Sequence, residues 1–151
     1  MIIIKKKYVI WLALILVGVV VLIFMRWNDY REKELVDVLD TDEIEEFIFL
    51  HANTDNAVLF EEMEVEDPEA MEDLIDFFGQ YRVKKVGPRN FSTEYPDEQF
   101  SFQINYQDER NTIDSMIERD VLLHDMDQYT IINGPLDYGW IESFMEKQNL
   151  N

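Results

Sequence analysis

Residues 99–106 read QFSFQINY, in which Phe100, Phe102, Ile104 and Tyr106 alternate without a break with Ser101, Gln103 and Asn105. Successive side chains on a strand point to opposite faces, so this octapeptide predicts a strand with one buried and one solvated face. Such alternation belongs to antiparallel sheets, since a parallel sheet covered on both sides reads as a continuous apolar run. Downstream, TIDSMIE (112–118), DVLLH (120–124) and QYTII (128–132) extend it into a meander. Upstream, YRVKKVGPR (81–89) predicts a strand ending at Gly87-Pro88. Further back, EIEEFIFLHA (43–52) and AVLFEEMEV (57–65) flank the turn-forming Asn53–Asn56 and predict a hairpin with Phe47, Phe49, Val58 and Phe60 inward.

Between hairpin and meander lies DPEAMEDLIDFFGQ (67–80). Asp67 suits the cap, Pro68 the first helical position and Glu69 the positive end of the dipole, with Gly79 as the stop. Met71, Leu74, Ile75 and Phe78, three and four residues apart, form the expected buried stripe, opposite Glu72, Asp73 and Asp76. In NGPLDYGWIESFMEKQ (133–148), Asp137 caps a short helix whose face is Trp140, Ile141, Phe144 and Met145, with an Asn133-Gly134 hairpin as the alternative. The expected class is α+β: an N-terminal transmembrane helix, a small antiparallel sheet packed by one helix, and a short C-terminal helix.

The transmembrane element is KKKYVIWLALILVGVVVLIFMRW, Lys5–Trp27. From Val9 to Met25 only Gly18 interrupts the apolar side chains, and thirteen of them are Val, Ile, Leu or Phe. Residues 8–27 as a helix reach about 30 Å, one hydrocarbon thickness. Tyr8, Trp11 and Trp27 stand near the ends, where amphipathic rings favour the headgroups. No small-residue cleavage site follows, and the chain has no cysteine, so a lipoprotein anchor and disulfides are excluded and an uncleaved signal anchor is expected. Lys5, Lys6 and Lys7 precede the span, while Arg26, Arg31 and Lys33 follow it among acids. The clustered lysines place the N-terminus inside and the long acidic part outside. No small residue lies four from Gly18, which gives no support to a Gly-x-x-x-Gly dimer face.

The organisation expected is a cytoplasmic N-terminus (1–7), the anchor (8–27), a juxtamembrane stalk NDYREKELVDVLDTD (28–42) and one acidic α+β domain (43–151). Beyond Trp27 stand nine basic residues against 32 acidic ones, a net −23. That charge argues against nucleic acid and anionic lipid as partners, both of which require Lys and Arg. With 47% hydrophobic and 13% aromatic residues the chain is expected to fold.

No thiol nucleophile exists, and His51 and His124, each closing an apolar run, read as strand-end residues. Nucleophile-elbow, Walker and dinucleotide-binding motifs are absent. Acids are too frequent for position to nominate a catalytic pair. DTDEIEE at Asp40 and HDMDQY around Asp125 alternate oxygens as calcium loops do, yet neither continues as an EF-hand, and no cofactor or metal is assigned. The exception to the acidity is Arg82, Lys84, Lys85 and Arg89, either a strand neutralising nearby acids or a contact patch for an acidic segment; Tyr138 and Trp140 pose the same choice between core and exposed contact.

The order of strand pair, DPEAMEDLIDFF helix, YRVKKV strand and meander ending in YTIINGPLDYGWI resembles uncharacterised small envelope proteins of Gram-positive bacteria, over residues 44–145. Many of those are lipoproteins, from which this cysteine-free chain departs. The resemblance implies an envelope location and no assigned activity. The expected function is a non-catalytic interaction module contacting another membrane or secreted protein. A carboxylate-dependent hydrolase of envelope material and a cytoplasm-facing acidic domain that blocks a basic partner are the alternatives.

Overall fold

The computed structural model describes residues 2–51, 61–65, 67–87, 95, 98–107 and 112–149. The expected turn at Asn53–Asn56, the inward positions of Val58 and Phe60, and Arg89 lie outside them. The chain divides into two units, Met1–Arg31 and Glu32–Asn151.

The first unit is one helix, α1 (Ile2–Asp29). Every side chain from Tyr8 to Asp29 is exposed, so this is not the buried core helix of a soluble fold. It is long and apolar enough to serve as a single-pass anchor or signal sequence. At its C-terminal end the Phe24 and Trp27 rings stand 6.2 Å apart and the Arg26 guanidinium lies 5.1 Å from the Tyr30 ring centre.

The second unit is α+β. Its elements are β1 (Glu32–Glu34), α2 (Leu35–Leu39), a 3₁₀ turn (Thr41–Glu43), β2 (Ile44–His51), β3 (Glu61–Val65), α3 (Pro68–Gly79), β4 (Arg82–Val86), β5 (Gln99–Tyr106), β6 (Ile113–Glu118), β7 (Val121–His124), β8 (Asp127–Ile131) and α4 (Tyr138–Asn149). Among the described residues the strands form one eight-stranded sheet in the order β1-β4-β8-β7-β6-β5-β2-β3, antiparallel at every pairing.

Strand β5 alternates as its sequence predicts, with Phe100, Phe102, Ile104 and Tyr106 buried. Opposite it in register, Phe47 meets Ile104 and Phe49 meets Phe102, which fixes the buried face. The helices pack on that face: Phe78 of α3 lies 5.9 Å from Phe47, Phe144 of α4 lies 6.1 Å from Phe49, and the Tyr106 hydroxyl donates to the Leu39 carbonyl at the end of α2 (2.8 Å). The core is therefore one aromatic-rich layer between sheet and helices.

Three expectations need correction. The sheet is packed by three helices rather than one, and α4, at 12 residues, equals α3 in length. The stalk assigned to 28–42 is folded from Glu32 onward, because β1 adds to the sheet beside β4 and Leu35 and Leu39 are completely buried. Those two leucines, four apart on one turn of helix, find their apolar partner in the core, and the Leu35 N–H donates to the Tyr81 carbonyl (2.9 Å). Finally, the buried stripe of α3 is turned from the expected one: Ala70, Leu74, Phe77 and Phe78 are buried, whereas Met71 and Ile75 are half-buried. A helix contacting both the sheet and the neighbouring Trp140 buries a wider arc, and Phe77 takes the second contact.

The cap of α3 forms as its sequence predicts. Pro68 opens the helix and the Asp67 carboxylate accepts the Ala70 N–H (3.0 Å). Gly79 does not take the left-handed conformation expected of a stop. The helix instead tightens, with Gln80 N–H on the Phe77 carbonyl and Tyr81 N–H on that of Phe78.

Candidate functional site

The basic strand is largely neutralised from within. Arg82 and Lys84 point to the sheet face away from the helices, and Val83 and Lys85 to the helix side. The Arg82 guanidinium meets Glu32 at 2.7 Å, a pairing supplied by β1, and Lys85 Nζ meets Asp127 at 2.5 Å from β8. Lys84 is exposed and stands in register between Glu32 and Thr130. The two neighbouring strands β1 and β8 thus give Arg82 and Lys85 structural partners, and among the described residues β4 pairs with neighbouring acids rather than presenting an unbroken basic patch.

Tyr138 and Trp140 occur on α4, a different element, and both are half-buried against the core. Trp140 stacks flat on Phe77, with centroids 4.0 Å apart and planes 4° from parallel, and lies 5.1 Å from Phe144. Tyr138 meets Phe100 edge-on at 6.0 Å. Burial pushes the Tyr138 phenol well above its ordinary pKa, and the carboxylates of Glu98, Glu118 and Asp120 push the same way. It stays neutral across the physiological range. Core packing is what both rings do.

A cleft of about 310 Å³ lies elsewhere, where α2 meets one end of the sheet. Tyr106 at the end of β5, Ile113 at the start of β6, His124 at the end of β7 and Asp127 at the start of β8 form its sheet side, and α2 and its cap supply Asp37 and Asp40. Asp125 completes a rim of four aspartates. The two motifs DTDEIEE and HDMDQY, separated by more than eighty positions, thus contribute to one cleft. Asp125 and Met126 form the two-residue turn between β7 and β8, both with positive φ (46° and 62°), as type I′ hairpins require, and Met126 is 93% exposed at its apex. Asp40 is also left-handed (φ 52°), a conformation that aspartate tolerates better than most residues. Among the described residues no group of three or more His, Cys, Asp or Glu is close enough to hold a metal ion.

His124 is buried in this cleft beside Tyr106 and Tyr129, 5% exposed and directly opposite Ser115 in the β6–β7 register. Its Nδ1 and Ser115 Oγ are hydrogen-bonded at 2.8 Å. His124 closes β7, as its sequence suggests, but a single histidine carries no signal of which aspartates the topology brings beside it. Burial pushes its pKa below the ordinary 6.5, opposed by the charges of Asp125 and Asp127. With the folded value depressed, the stabilisation from a neutral ring is complete above about pH 6.5 and is lost as pH falls through the folded value, because the unfolded chain takes up its proton first. Melting temperatures should accordingly fall more between pH 7.5 and pH 5.5 for the wild type than for His124→Gln. Equal falls would show that His124 carries no such linkage.

Compared with known proteins, the chain matches no family model, no curated protein and no solved structure.

Proposed function

We propose that the chain is a membrane-anchored, non-catalytic interaction module of the cell envelope, whose acidic domain stands outside and contacts another membrane or secreted protein. The observation that carries this reading is a long apolar helix with every side chain exposed from Tyr8 to Asp29, followed directly by a folded domain of strongly negative charge.

Topology is tested through the absence of native cysteine. Glu72 is exposed on α3. Glu72→Cys should be labelled in intact cells by a membrane-impermeant maleimide to the extent seen after lysis. Labelling only after lysis would overturn the orientation and favour a cytoplasm-facing domain that blocks a basic partner.

A further inference from the structure

We propose that two copies of this chain pair through the sheet face turned away from α2, α3 and α4, about a two-fold axis parallel to the strands. This goes beyond the interaction-module reading and does not depend on it. A row of side chains crosses the sheet on that face. In register, Val86 of β4 stands beside Gln128 of β8, then Leu123 of β7, Met116 of β6, Ser101 of β5 and Leu50 of β2. Phe49, Phe102, Ile117, Leu122 and Tyr129, each adjacent in sequence to a member of the row, are buried on the helix side, so the alternation of the strands turns the row to the other. Its four apolar members are half-buried, yet they stand outside the hydrophobic core that the helices complete.

The order along the row is apolar, polar, apolar, apolar, polar, apolar, the same from either edge. A two-fold axis running between β7 and β6 therefore sets Leu123 against Met116 of the second copy, Val86 against Leu50, and the Gln128 amide against the Ser101 hydroxyl. An isologous contact requires a surface that complements itself in this way. Sheets packed face to face keep their strands within about 30° of one another, so the match is closest at the axis, where Leu123 and Met116 lie.

Charge agrees with this axis. The rotation lays β4, with Arg82 and Lys84 outward, over β2 of the second copy, beside the edge strand that carries Glu62 and Glu64 on the same face. Lys84 forms no ion pair among the described residues. Size agrees as well. Six strands about 4.8 Å apart, each contributing about five residues of about 3.4 Å, give roughly 500 Å² per copy in projection, and a pair then hides about the 1,000 Å² that a specific interface needs. The large negative charge of each copy opposes pairing, so screening by salt favours it.

The test uses the full chain in micelles of a zwitterionic detergent, with thiols introduced singly into a chain that has none. Sedimentation equilibrium should show a dimer that tightens as salt rises from about 0.05 M to about 0.5 M. Ser101→Cys mixed with Gln128→Cys should be crosslinked by bismaleimidoethane, which bridges sheets about 10 Å apart, and neither variant should crosslink alone, because the axis holds identical residues away from each other. Leu123→Asp, which sets a carboxylate against Met116 of the second copy, should weaken the dimer at least about tenfold. Its near-ultraviolet circular dichroism should match the wild type, and if that signal is lost the crosslinking result decides alone. Glu72→Gln, on the exposed side of α3, should leave the dimer unchanged. A monomer at every concentration, a dimer that salt loosens, or crosslinking of Ser101→Cys to itself would overturn the proposal. A dimer that survives Leu123→Asp would overturn it too and assign association to α1. None of these outcomes alters the topology result read at Glu72→Cys.

Discussion

Phe102→Ala should lower the stability of the domain by about 3–5 kcal/mol, the range for removing a buried phenylalanine. Phe102 is completely buried at the centre of the aromatic layer. Its ring stacks on Phe47 with centroids 4.8 Å apart and planes 15° from parallel, and lies 5.6 Å from Phe100 and 6.3 Å from Phe78. Three of these rings belong to paired strands and the fourth to α3, so backbone hydrogen bonding and helix packing limit how far they can collapse into the vacated space. The cost is the lost transfer energy plus the residual cavity. Urea denaturation of the full chain in detergent, followed by near-ultraviolet circular dichroism, measures it. Ser101→Ala, on the opposite face of the same strand, should change stability by no more than about 0.5 kcal/mol. A loss below about 1 kcal/mol for Phe102→Ala would mean that helices and sheet do not interdigitate there.

The second large effect falls on residues whose local sequence looks like a stalk. Leu35→Ala and Leu39→Ala should each cost about 2–5 kcal/mol by the same measurement. Both side chains have no exposed surface, and Tyr106 and Tyr81 tie the backbone at the two ends of α2 to the sheet and to the turn after α3. In a solvated stalk the same substitutions would fall within about 0.5 kcal/mol. The outcome also bears on the cleft, because α2 carries Asp37 and is capped by Asp40.

Much of the architecture follows from patterns contained within a few residues. The unbroken apolar run makes α1, Asp67-Pro68 starts α3, strict alternation makes β5, and the spaced runs from Ile113 to Ile131 make three meander strands. Each is legible because the determinant is local: a periodicity, a cap or a fixed φ acts on its own segment. The final helix, with Asp137 accepting the Trp140 N–H at 3.1 Å, belongs to the same group.

Other features depend on what the segments meet. Glu-Lys-Glu at 32–34 has no apolar pattern of its own and becomes β1 only because β4, fifty residues on, offers hydrogen-bonding groups and Arg82 to pair with Glu32. The arc of α3 that is buried was set by Trp140 as well as by the sheet, and for that reason Phe77 replaced Ile75. The cleft likewise exists only in the folded chain, where α2 comes to lie beside the β7–β8 turn. Sequence by itself determined α1, α3, α4, most strands and the charge, since these arise from neighbouring residues. Tertiary structure alone decided which aspartates share a cleft, how the basic strand is neutralised and where the stalk ends, because distant apolar and polar groups find their partners only when the chain closes around one core.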